Sequence, residues 1–166
     1  MPDLPDYMWT KGRPVVDKFS PEEFLFRRIP PDYWDDDEIE LDNIDFPDMS
    51  VTRESLGPPT CARWVGEDYY DWGVIGFKVE AIPTQIPYVG AFYYRLRAVH
   101  KPLKKNYPHS EVQAFEAKWD DPTRELHLDK AALQGVSLEA QLEWREMLLR
   151  GCKIVLGPRE ELVDST

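Results

Sequence analysis

Cysteine is scarce in this chain: only Cys61 and Cys152 occur among 166 residues. Two thiols cannot build a disulfide framework, and neither stands near a histidine or second cysteine at the spacing of a zinc site. A reducing cytoplasm is the expected home. Long apolar runs are missing too, since no stretch approaches the roughly 18 residues that a membrane helix needs. Met1 to Thr10 carries acid where a secretory signal would carry base, so a protein that is neither exported nor anchored is expected. Glycine is sparse at 9 residues against 15 prolines. There is no glycine-rich phosphate loop, no metal-ligand spacing, and no nucleophile with an adjacent base in the sequence. The acidic run Asp35-Asp36-Asp37-Glu38 lacks the alternating ligands and glycine of a calcium loop, so no metal and no cofactor is expected.

What is abundant is charge of one sign. The formal net charge is -11, and acid is concentrated at Asp32, Asp35, Asp36, Asp37, Glu38, Glu40, Asp42, Asp45 and Asp48. Against it stands one cationic tract: Arg95, Arg97, His100, Lys101, Lys104, Lys105 and His109. Like charges held together oppose folding slightly, so such a patch is where a ligand or partner should be sought.

At 42% hydrophobic residues the chain is long enough for one ordinary domain, burying roughly 70% of its unfolded surface. Residues 1–20 mix proline, aspartate and aromatics such as Tyr7 and Trp9, the composition of an extended arm laid over a domain. The remaining residues 21–166 are expected to form a single domain with an acidic loop over 32–48. Phe24 to Ile29 reads as a short strand stopped by Pro30 and Pro31. A second extended segment starts at Phe46–Ser50 and ends near Leu56, before Gly57-Pro58-Pro59.

From Trp72 to Ile82 the residues alternate, with Ile75, Phe77, Val79 and Ala81 on one face. In Ala91 to Val99, Phe92, Tyr94, Leu96 and Ala98 share one face while Tyr93, Arg95, Arg97 and Val99 share the other, so the cations point together. Glu111 to Trp119 has some helical spacing, but Asp120-Asp121-Pro122 and the alternating Glu125 to Leu128 favour a hairpin. Ser137 is an N-cap candidate for a helix ended by Gly151, with Leu138, Leu142, Leu148 and Leu149 available for its buried face. Cys152 to Leu156 reads as a final strand. The fold class is therefore α+β: a mainly antiparallel sheet with one long helix from the C-terminal region packed on it.

Three segments carry a likeness to other proteins. Phe26-Arg27-Arg28-Ile29-Pro30-Pro31-Asp32-Tyr33-Trp34, Met49-Ser50-Val51, and Pro102-Leu103-Lys104-Lys105-Asn106-Tyr107-Pro108-His109-Ser110-Glu111-Val112 together resemble a loose group of short, uncharacterised bacterial proteins. In that group an Arg-Arg strand opens the domain, a Met-Ser-Val segment follows, and Pro, Asn and His come late. The likeness implies a bacterial origin and no particular activity.

The residues expected to bind an anion or a partner are Arg27, Arg95, Arg97, Lys101, Asn106 and His109. Arg27 shares a strand face with Leu25 and Ile29, and Arg28 shares the other with Phe24 and Phe26. At least one guanidinium must meet an apolar layer, where it either forms an internal ion pair or grips a phosphate or carboxylate. His109, after Tyr107-Pro108, either ties a neighbouring loop or serves as an acid or base. Asn106 is a turn residue or a ligand contact. Trp64, Tyr69, Tyr70 and Trp72 form an aromatic group suited to packing.

Tyr93, Arg95 and Arg97, followed by Lys101, Lys104 and Lys105, resemble a cationic and aromatic platform for nucleic acid, but the overall negative charge opposes such an approach. A protein partner, or the chain's own Asp35 to Asp48 loop folded across the strand, suits the platform better. The function expected is that of a noncatalytic interaction or accessory protein of a bacterial operon, of toxin–antitoxin or defence type. The alternative is a nucleotide-acting enzyme resembling ADP-ribosyl-transferring domains, because Arg27, Ser50 and Glu111 follow the order those domains use, with His109 beside the last.

Overall fold

The computed structural model describes residues 4–35, 38–40, 44–45, 48–64, 69, 71–87 and 90–157. Its centre is an antiparallel sheet built from short alternating segments. Phe24–Ile29 (β1) ends at Pro30 as the missing backbone donor requires. A small hairpin, Trp34–Asp35 (β2) with Glu38–Ile39 (β3), stands apart from the sheet. Then follow Met49–Arg53 (β4), Gly73–Lys78 (β5), Ile86–Pro87 (β6), Phe92–His100 (β7), His109–Lys118 (β8), Glu125–His127 (β9) and Lys153–Leu156 (β10). The strand order is β10-β5-β1-β4-β8-β7-β6, with β9 pairing β8 beyond the end of β4. All of these pairings are antiparallel. The long hairpin β7–β8 runs in unbroken register from Phe92 opposite Lys118 to His100 opposite Ser110.

The pleat sorts side chains onto two faces. One face carries Leu25, Ile29, Met49, Val51, Ile75, Phe77, Tyr94, Leu96, Val112 and Ala114, and these form the main core. It is covered by Lys130–Leu133 (α1) and Leu138–Arg150 (α2), which contribute Leu133, Trp144 and Leu148. A smaller cluster of Phe26, Ala62, Val74 and Leu156 lies on the opposite face, beneath the helical turn Cys61–Trp64. The α+β class and the single long helix near the C-terminus agree with the sequence reading.

Two expectations require correction. The strand over 72–82 stops at Lys78, because Val79–Ala81 turns into a 3-10 helix. Ser137 does cap α2, its hydroxyl accepting from the Ala140 amide at 3.1 Å, but the helix buries Trp144 and Leu148 while Leu138 is 83% and Leu142 44% exposed. The large indole fixes the rotation: Trp144 meets Tyr94 edge-on with centroids 4.8 Å apart. That turns the stripe through Ala140, Trp144, Met147 and Leu148 inward and leaves Leu138 and Leu142 outside. Phe46, Tyr70 and, within the acidic loop, residues 36–37, 41–43 and 47 fall outside the described residues.

Candidate functional site

The outer face of the β7–β8–β9 region gathers Arg95 and Arg97 of the cationic tract, whereas His100 turns to the core face. Tyr93, Arg95, Arg97 and Val99 point outward from β7, and the register sets Ala117, Phe115, Gln113 and Glu111 beside them. Glu125 on β9 receives both guanidinia, Arg95 at 3.2 Å and Arg97 in a shorter contact. The Arg97 guanidinium lies over the Phe115 ring at 4.4 Å, and Arg95 bonds the Tyr93 hydroxyl. Trp119 rests on Tyr93, with centroids 4.3 Å apart, and is 45% exposed. Lys101 reaches Glu111 at 3.4 Å. Among the described residues, the carboxylates that meet these cations come from β8 and β9. Among the described acidic-loop residues, Asp48 bonds His127 at 2.9 Å instead.

The tract divides beyond Lys101. Leu103 and Asn106 pair across a tight turn, and Lys105 is directed over the Trp9 ring of the N-terminal arm at 5.7 Å. Asn106 is buried, and its side-chain oxygen has no hydrogen-bond partner among the described residues. It cannot serve as an exposed ligand contact in this arrangement.

His109 opens β8 and bonds on both sides of its ring. Nδ1 meets the Lys101 carbonyl at 2.7 Å, the loop tie that the sequence suggested, and Nε2 meets the Ser50 hydroxyl at 2.9 Å. Ser50 stands opposite Glu111, and Thr52 opposite His109. Ser50, His109 and Glu111 thus share the outer face.

Arg27 does not join them. The pleat sends it to the core face with Leu25 and Ile29, where its guanidinium bonds the Ser50 carbonyl at 3.0 Å, at the point where β1 and β4 cease to pair. Burial pushes its pKa down to about 10, the field of Asp45 opposing that shift and Arg28 adding to it. Burial likewise pushes Cys152 up to about 12, with Arg27 acting against the shift. Arg28 is the guanidinium on the outer side, over the Tyr69 ring at 4.1 Å. Arg27 acts here as an internal tie between strands, so its expected anion-binding role is not supported.

A second polar cluster went unnoticed in the sequence, and it holds the N-terminal arm. Arg53 and Glu23 form a buried pair at 3.0 Å, joined by a second hydrogen bond at 3.1 Å. Arg53 also donates to the carbonyls of Val16 and Lys18 and stacks on Phe19 at 3.9 Å. Burial works against ionising Glu23, yet hydrogen bonds from Arg53 and Ser55 outweigh it and hold the carboxyl below its ordinary range. His100 donates from Nε2 to the Tyr107 carbonyl and accepts the Val16 amide at Nδ1, both at 2.8 Å, which requires the neutral ring. Burial lowers its pKa, with the Tyr107 bond acting against the shift. The signal was available: alternation alone places Arg53 with Met49 and Val51, and His100 with Leu96 and Ala98, on the core face.

The fold and these two clusters define an α+β protein with a cationic, aromatic strand face and a docked N-terminal arm. No protein-family model, curated protein or solved structure matches the chain. Among the described residues, no helix is long and apolar enough to cross a membrane, and no group of three His, Cys, Asp or Glu side chains is placed to hold a metal ion.

Proposed function

We propose that the chain is an interaction or accessory protein that receives a protein partner on the outer face of β7–β9. The carrying observation is the cluster of Trp119, Arg95 and Arg97 on the β7–β9 face, backed by the buried Tyr93 ring, with Trp119 45% exposed and the Arg97 side chain equally so. Trp, Tyr and Arg dominate the energetics of protein interfaces because each combines large contact area with a directed polar or cationic group. Glu125 pre-orders both arginines, so little side-chain freedom is lost when a partner docks.

In the bacterial setting that the sequence likeness implies, the partner is the product of a neighbouring gene, of toxin–antitoxin or defence type. The nucleotide-acting alternative depends on Arg27 joining Ser50 and Glu111, and its place on the covered face gives that reading no support.

Co-expression with the adjoining gene products, followed by calorimetric titration of any stable complex, tests the proposal. A Trp119→Ala/Arg97→Glu variant should weaken the complex by at least roughly thirtyfold, the loss of one interface hot spot of about 2 kcal/mol. An equal Kd for wild type and variant, or no complex with any neighbouring product, would refute it.

A further inference from the structure

The bond between Ser50 and His109 has a fixed direction. A carbonyl oxygen only accepts, so the Lys101 carbonyl at 2.7 Å places the proton of the neutral imidazole on Nδ1. Nε2 then carries the lone pair, and the Ser50 hydroxyl donates to it at 2.9 Å. That is the tautomer in which a histidine can take the proton of a serine as it attacks, with the backbone carbonyl as the orienting third group.

The geometry is also well supported. Ser50 and His109 form a diagonal pair across β4 and β8, whose ladder runs from Met49 opposite Val112 to Thr52 opposite His109. Ser50 is half-buried, while His109 is only 8% exposed. Neighbouring Ser110 provides a contrast: it is fully buried and its hydroxyl lies 3.4 Å from the Pro108 carbonyl. We infer that Ser50 and His109 are a nucleophile–base dyad that attacks small activated carboxylic esters from the outer face of the sheet. This goes beyond the binding role above and does not depend on it.

The chemistry balances within the dyad. Ser50 Oγ bonds to the ester carbonyl carbon as its proton passes to His109 Nε2. The carbon–oxygen bond to the alcohol breaks, and Nε2 returns the proton to the departing alkoxide. A water oxygen then bonds to the acyl carbon as its proton passes to Nε2, the bond from that carbon to Ser50 Oγ breaks, and Nε2 returns the proton to Oγ, freeing the carboxylic acid.

The test treats the full chain with an alkyl fluorophosphonate and, separately, with p-nitrophenyl acetate, and maps the adducts by peptide mass spectrometry. Ser50 should carry the adduct with both reagents. A His109→Ala variant confirmed as folded by circular dichroism should react about a hundredfold more slowly, the lower end of what a general base contributes. An unmodified Ser50 in wild type, or equal labelling in folded His109→Ala, overturns the inference and leaves the bond as a tie between strands. Should His109→Ala fail to fold, His109→Gln takes its place: a folded His109→Gln labelled at the wild-type rate overturns the inference, because an amide side chain can hydrogen-bond Ser50 but cannot take its proton.

Discussion

Replacing Arg53 with Met would strand a buried carboxylate. Arg53 and Glu23 have side chains only 3% and 5% exposed, and the guanidinium meets both oxygens at 3.0 and 3.1 Å. The unbranched methionine preserves much of the stem volume, so the change removes charge and donors more than packing. Glu23 would keep its bonds from Ser55, with the amide at 3.2 Å, but Oε2 would lose the Arg53 partner, and the Val16 and Lys18 carbonyls would lose a donor each. Breaking one half of a buried pair costs about 3–5 kcal/mol, most of it from the uncompensated charge.

Guanidinium denaturation at neutral pH, followed by tryptophan fluorescence and circular dichroism, should show that loss. A Glu23→Gln/Arg53→Met double variant should recover at least about 1 kcal/mol, since it removes the orphaned charge. The pair also has a pH signature. Because the folded pKa of Glu23 lies below 4.5, its contribution is complete above the unfolded value and disappears as pH falls through the folded one. Arg53→Met should abolish that acid limb. A single-variant loss under about 1 kcal/mol, or a double variant no more stable than the single, would refute the account.

Other consequences are as direct. Trp144→Ala should cost about 3–5 kcal/mol by opening a cavity against Tyr94, whereas Leu138→Ala, at a position 83% exposed, should change stability by less than about 0.5 kcal/mol; urea titrations of the two distinguish this helix rotation from one with Leu138 inside. Ser137→Ala removes the acceptor for the Ala140 amide and should lower stability by about 1 kcal/mol in the same measurement. His100 must stay neutral to accept the Val16 amide, and its folded pKa lies below 6.5. With the arm released or the chain unfolded, that ring takes up a proton first, so docking is complete above the ordinary histidine range and weakens as pH falls toward the folded value. The protection factor of the Val16 amide in hydrogen exchange should therefore drop between about pH 7.5 and 5.5, and a constant factor would exclude the linkage.

Local chemistry was readable along the chain. Proline stops such as Pro30, the period-two alternation of Phe92 to Val99, the Asp120-Asp121-Pro122 turn between β8 and β9, and the Ser137 and Gly151 caps each act within a few residues, so strand and helix positions follow from sequence neighbours. The same alternation correctly put Arg95 and Arg97 on one face. It did not show that Glu125 would span both of them, because that contact depends on β9 joining β8 opposite Phe115 and Ala117.

Choices between equivalent local options needed the folded chain. Arg27 and Arg28 occupy opposite faces of one strand, and only the covering helices and the split between β1 and β4 settle which guanidinium turns inward. Likewise, α2 offered more than one apolar stripe until Trp144 found Tyr94. The Ser50–His109 and Arg53–Glu23 pairs bring together residues 59 and 30 positions apart. No local pattern encodes such meetings, because they arise from strand register and from the energy of satisfying polar groups once water has been excluded around them.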